Sequence, residues 1–165
     1  MNKFFQFNEF IELGKIFSDC KAYLIALEHF NKAIALSYLP INKERLVEAY
    51  DLRAGVKTFL SRYLESIADY SKAIELDPNN SYLYFGRGMS YEYLNQNEEA
   101  LKNFKMSLEL DPGFSLALSI VDYLENEKKW IGRKDIIYFV LKFLYYFNYF
   151  QLKTFFKVSS RKIIS

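Results

Sequence analysis

The stretch AIELDPNN at 73–80 returns as SLELDPGF at 107–114, a shift of 34 residues. A fixed period in this range means stacked supersecondary units, each too small to bury its apolar face alone. Laid on that period, Tyr50 coincides with Tyr84, Arg53 with Arg87, Ala54 with Gly88, Tyr70 with Phe104, and Pro78 with Pro112. The repeat decides the fold class, because within each copy large residues recur at spacings of three and four, the period of a helix face.

The copy that shows this best predicts one helix over about Ser81 to Leu94 and a second over about Asn97 to Leu110, with Asn95-Gln96 as the turn. Gly88 and Ala100 are small where the two helices must approach, and Tyr91 and Phe104 fill the space beside that contact. Asp77-Pro78 and Asp111-Pro112 stop the second helices, because proline disfavours helix in the residue before it. A third copy lies upstream. ELGKIF at 12–17 and ALEHFNKAIAL at 26–36 put Phe10, Leu13, Gly14, Phe17, Ala26, Phe30 and Ala33 at the matching places. That copy is longer by six residues, which fall in the linker SYLPINKERL at 37–46.

The residues YFGRGMSYEYLNQNEEALKNFKMSLELDP at 84–112 resemble the tetratricopeptide repeat, with an aromatic, Leu, Gly, Tyr, Ala, aromatic and Pro at its offsets. The resemblance covers about 7–114 in three copies, 7–46, 47–80 and 81–114. It implies an all-α fold of helix-turn-helix repeats in a right-handed superhelix. Lys57 departs from it where Tyr or Phe is usual, and Ser66 and Ser107 stand where Ala is usual. Arrays of this kind typically end in a helix that covers the last repeat, and SLALSIVDYLENEKK at 115–129 fits that place. The expected organisation is therefore a repeat array with its capping helix over 1–129, followed by a separate C-terminal helix over 130–165.

Composition agrees with one mostly helical domain. The 165 residues are 51% hydrophobic and 25% charged, with six glycines and three prolines to break helices. Charge is uneven: residues 1–129 hold 15 Lys and Arg against 19 Asp and Glu, and 130–165 hold seven against Asp135 alone. The single cysteine, Cys20, excludes an internal disulfide and a cysteine-based metal site. The N-terminal MNKFFQFNEF has no long apolar run, so no secretory signal is read there. A cytoplasmic location, or one peripheral to a membrane, is the expectation.

Catalysis needs convergent reactive groups, and none is found. His29, the lone histidine, is read as a surface residue beside the matching Asp69 and Asn103. Cys20 is read as packing. FGRGMS at 85–90 lies inside a helix, not in a phosphate loop after a strand. Neither an enzyme activity, nor a cofactor, nor a metal is expected. The resemblance instead implies a protein-interaction scaffold whose first helices line a groove for a peptide or helix. Its equivalent positions here include Ile11, Lys15, Asp51, Thr58, Tyr82, Phe85, Met89, Glu92 and Tyr93. One subclass of the family grips the C-terminal carboxylate of heat-shock chaperones with Lys, Asn and Arg. The matching positions are Ile11, Lys15, Leu52, Tyr82 and Gly86, of which only Lys15 is basic. That clamp is absent.

The tail IIYFVLKFLYYFNYF at 136–150 is the most apolar run. Read as a helix over 135–157, the tail aligns Asp135, Tyr138, Lys142, Tyr146, Tyr149, Lys153 and Lys157 on one stripe. The remaining surface is Phe, Ile and Leu. Lys142, Asn148, Gln151 and Lys153 disfavour a membrane span. Lys142, Phe143, Phe147, Phe150 and Lys153 are the expected contact surface, toward the array, a membrane interface or another chain. A membrane-surface assembly factor anchored by this helix is the alternative function. Nucleic acid is disfavoured as a partner, since no stacking platform or recognition motif is present. No oligomeric state follows from the sequence.

Overall fold

The computed structural model describes residues 3–38 and 40–125; the predicted tail contacts Lys142, Phe143, Phe147, Phe150 and Lys153 lie outside the described residues. The described residues up to Leu118 form one compact unit, and Ser119–Glu125 belong to a second. All regular structure among the described residues is helical: α1 (Lys3–Asp19), α2 (Tyr23–Ala35), α3 (Lys43–Phe59), α4 (Tyr63–Leu76), α5 (Ser81–Tyr93), α6 (Asn97–Leu110) and α7 (Ser115–Glu125). The pairs α1–α2, α3–α4 and α5–α6 are the three repeats. The best-defined copy agrees with its predicted limits to within a residue. Of the predicted capping helix, Ser115–Glu125 is described.

Each pair turns in the same way. Lys21, Ser61 and Asn95 all have positive φ, at 60°, 59° and 57°. The next amide reaches back five residues, from Ala22 to the Phe17 carbonyl, Arg62 to Lys57 and Gln96 to Tyr91. The amides of Lys21, Ser61 and Asn95 themselves reach Ser18, Thr58 and Glu92. This paired 6→1 and 5→2 bonding satisfies the carbonyls that a helix end leaves open. It also delivers the chain directly into the second helix. Accordingly α2, α4 and α6 start without a side-chain cap, whereas α3 and α5 start at Asn42 and Asn80, whose side chains accept from Arg45 and Tyr82 amides.

The core of each pair forms where a small residue meets an aromatic ring. A Cβ on Gly14 would lie 2.4 Å from the Phe30 ring, and one on Gly88 would lie 2.8 Å from the Phe104 ring. Between repeats, a Cβ on Gly86 would lie 2.4 Å from Tyr70. Phe7, Ile11, Ala26, Phe30, Ala33 and Ala49 are fully buried in the first cluster, and Tyr70, Ala73 and Leu83 are buried in the second. Consecutive repeats are joined by an aromatic stack that itself repeats. Tyr23 lies on Phe59 at 4.8 Å and 2°, and Tyr63 lies on Tyr93 at 4.9 Å and 2°.

An arginine crosses between the helices of the second and third pairs. Arg53 on α3 donates to both carboxylate oxygens of Asp69 on α4 (2.8 and 2.6 Å) and to Asn31 on α2 (3.0 Å). Arg87 on α5 donates to Asn103 on α6 (2.8 Å) and to Ser71 on α4 (3.1 Å). Each guanidinium also lies over a tyrosine three residues earlier, Tyr50 or Tyr84. The first pair has Leu13 at the arginine position and His29 at the acceptor position. His29 is therefore not the surface residue expected. It is half-buried, stacked on Phe17 at 5.3 Å beside Phe10, and its Nδ1 has no hydrogen-bond partner among the described residues. Cys20, expected to pack, is exposed at the end of α1 because the left-handed turn begins immediately after it.

Lys57, the departure from the aromatic pattern, is buried against Asp69 (2.7 Å) with Glu65 at 3.8 Å. Ser66, the departure from Ala, donates to the Ala54 carbonyl or shares its hydroxyl with Thr58 (2.7 Å) and Ser90 (3.0 Å). The middle repeat thus replaces apolar packing by a satisfied polar seam.

Candidate peptide-binding face

The first helices of the three repeats approach one another: α1 touches α3, and α3 touches α5. Side chains tie the contacts together. Lys15 on α1 pairs with Glu48 on α3, and Glu12 and Arg45 complete the group at 3.0 Å from Lys15 and 2.8 Å from Glu48. At the other end of α3, Thr58 meets Ser90 on α5 at 3.2 Å. Glu48, Asp51, Gly55 and Thr58 follow at helical spacings of three, four and three, so one stripe of α3 runs from its contact with α1 to its contact with α5.

The sequence-predicted residues separate into two groups on this face. Ile11, Thr58, Phe85 and Met89 are buried. Ile11 belongs to the first core cluster. Phe85 packs on Phe104 (5.3 Å) and Phe114 (4.8 Å). As packing residues they support the face rather than present a side chain to solvent. The large apolar side chains of Ile11, Phe85 and Met89 were read as contact surface, but the same area is consumed where neighbouring helices meet, and the Thr58 hydroxyl is taken by Ala54, Ser66 and Ser90. The second group keeps accessible area. Tyr82 is 48% exposed, with its ring centroid 4.9 Å from that of Phe114 and the two rings tilted by 48°. Lys15, Asp51, Glu92 and Tyr93 are half-buried. Tyr93 is committed on one ring face to Tyr63.

Glu48 lies where the cations Lys15 and Arg45 meet. Partial burial raises its pKa, but the hydrogen bonds and charges of Lys15 and then Arg45 outweigh this and hold the carboxyl below its ordinary range. Glu12, Arg45 and Ser90 were not singled out from sequence. The i,i+3 pairs Glu12–Lys15 and Arg45–Glu48 carry a readable signal; the cross-helix link that joins them does not. Among the described residues no group of three or more His, Cys, Asp and Glu is placed to hold a metal. Nor is any described helix long and apolar enough to cross a membrane.

Residues 81–114 match the tetratricopeptide repeat model, and 60–94 match a second TPR repeat model. The chain is a tetratricopeptide-repeat protein. Among its relatives, sperm-associated antigen 1 of Mus musculus is 31% identical over 81 residues, 49% of this chain and 9% of that protein. The Hsp70-Hsp90 organizing protein of Triticum aestivum is 31% identical over 123 residues, 62% of this chain and 21% of that protein. The TPR protein thus spans about a fifth or less of the length of these two curated relatives. The second TPR domain of human RPAP3, solved in complex with the HSP70 peptide SGPTIEEVD, superposes with a TM-score of 0.65. It is 24% identical, and the match covers 73% of this chain and 96% of that domain.

Proposed function

We propose that this TPR protein binds a peptide or short helix of a protein partner on the face made by α1, α3 and α5. The observation that carries the reading is the convergence of these three helices, with Tyr82 held at its margin and left about half exposed. A rigid face of this kind binds without ordering its own backbone, which lowers the entropic cost of association. Relatives that bear the names of chaperone organisers, and a similar domain solved with an HSP70 peptide, support a peptide as the ligand class.

The mode of capture differs from a carboxylate clamp. At the five matching positions Ile11 is core, Lys15 is taken by Glu12 and Glu48, Gly86 lies against Tyr70, and Leu52 and Tyr82 carry no charge. No cation is presented there for a terminal carboxylate. A displayed random-peptide library selected against the full chain tests the reading. Selected peptides should lose affinity for the Tyr82→Ala and Asp51→Ala chains. They should be unaffected by Leu64→Ala, an exposed residue of α4. Peptides indifferent to the first two substitutions would remove the face from consideration.

A further inference from the structure

We infer that the α1/α3/α5 face selects a cationic partner, a peptide or helix bearing Lys or Arg beside its apolar residues. The inference rests on the binding face proposed above and specifies its ligand chemistry. Two separate arrangements carry it. The first is the charge on the face itself. Glu12 and Glu48 pair with Lys15 and Arg45 where α1 meets α3, and Asp19, Asp51 and Glu92 follow Lys15, Glu48 and Met89 at helical spacings of four, three and three. Both of those cations are engaged by Glu48, and Lys15 also by Glu12.

The second arrangement is the direction taken by the other cations of the same helices. Arg53 and Lys57 on α3 reach Asp69 on α4, and Arg87 on α5 reaches Asn103 on α6. These three cations, more than half of those on α3 and α5, are therefore turned toward the second helices and away from the face. Residues 1–129 are acidic as a whole, with 15 Lys and Arg against 19 Asp and Glu, and the direction of these three cations adds to that balance on the face. A face with carboxylates gathered on it and guanidinium groups directed behind it favours positive ligands and repels acidic ones.

Two short amphipathic peptides test the inference. They share the same Leu and Tyr positions, and one carries Lys wherever the other carries Glu. Each is titrated into the full chain by fluorescence anisotropy at about 0.1 M and about 1 M salt, across which the Debye length falls from about 10 Å to about 3 Å. The Lys peptide should bind about tenfold tighter or more at low salt, with the preference shrinking at high salt. Asp51→Asn with Glu92→Gln should reduce the preference several-fold, with an unchanged circular dichroism spectrum. Glu98→Gln with Glu99→Gln, at the exposed start of α6, should leave it intact. Tyr82→Ala should weaken both peptides alike.

Equal affinities, or a preference for the Glu peptide, would overturn the cationic selection. The binding face would still stand if Tyr82→Ala weakened both. An outer pair as effective as the inner pair would make the attraction diffuse, and would also overturn it. If neither peptide binds, or Tyr82→Ala weakens neither, the face itself falls and the inference falls with it.

Discussion

Arg53 and Asp69 face each other through two parallel hydrogen bonds, and Arg87 and Asn103 occupy the same places one repeat later with a single one. The pair at 53 and 69 is ionic and nearly buried, and Lys57 adds a second cation to the same carboxylate. Removing Asp69 therefore strands two charges, whereas removing Asn103 strands one side of an amide contact. Asp69→Ala should cost about 3–5 kcal/mol of unfolding free energy. Asn103→Ala should cost about 1–2 kcal/mol, since Arg87 keeps Ser71. Urea denaturation of the two variants measures the difference, and equal losses would contradict the account.

Two serines stand where the repeat pattern has alanine, and opposite effects are expected from restoring it. Ser66 shares its hydroxyl with Thr58, Ser90 and the Ala54 carbonyl. Ser107 is fully buried, and its Oγ has no hydrogen-bond partner among the described residues. Ser66→Ala should destabilise by about 1–3 kcal/mol, because Thr58 and Ser90 lose a partner in the interior. Ser107→Ala removes the desolvation cost of an unpaired hydroxyl and should stabilise by about 1 kcal/mol. Thermal unfolding of both variants compares the signs directly.

The glycines give a similar contrast. A Cβ at Gly86 would meet the Tyr70 ring at 2.4 Å, so Gly86→Ala should cost about 1–3 kcal/mol through displaced packing. A Cβ at Gly55 in α3 would come no closer than 3.9 Å to a neighbouring side chain, the Tyr70 hydroxyl. Gly55→Ala should stabilise by about 0.5–1 kcal/mol, because alanine loses less backbone entropy in a helix. Differential scanning calorimetry would register a lowered midpoint for the first and a raised one for the second.

Stability should also fall in acid through Glu48. Its folded pKa lies below the ordinary 4.5, so the stabilisation from Lys15 and Arg45 is present above that value. It is lost as pH falls through the lower folded pKa. Urea midpoints measured between about pH 6 and about pH 3 should decline, and Glu48→Gln should flatten part of that decline. An unchanged slope would show that the group does not contribute.

Much of this architecture was legible in the sequence for a physical reason. The 34-residue echo fixed the number and kind of helices, and Asp-Pro at 77–78 and 111–112 marked two helix ends. Asn95 was readable as a turn residue because asparagine tolerates a left-handed backbone. Lys21 and Ser61 occupy the same conformation without that tolerance, and only the repeat register betrays them. The candidate site was less legible. Spacing placed Ile11, Phe85 and Met89 on the inner side of their helices, but not how closely the neighbouring helices approach. Lys57 looked like a flaw in the pattern until Asp69 was placed opposite it.

The aromatic stacks between repeats have a direction. Each needs one ring at the end of a first helix, Phe59 or Tyr93, and one at the start of the preceding second helix, Tyr23 or Tyr63. Only the second repeat owns both halves, through Phe59 and Tyr63. The third owns Tyr93, but at the place of Tyr63 it has Asn97. The series of stacks therefore carries its own stop signal. Duplicating 47–80 would supply both a donor and an acceptor ring for one more junction, whereas duplicating 81–114 would leave the new junction without its presenting tyrosine. Asn97 thus leaves the start of α6 without the ring that Tyr23 and Tyr63 offer to the first helix that follows them.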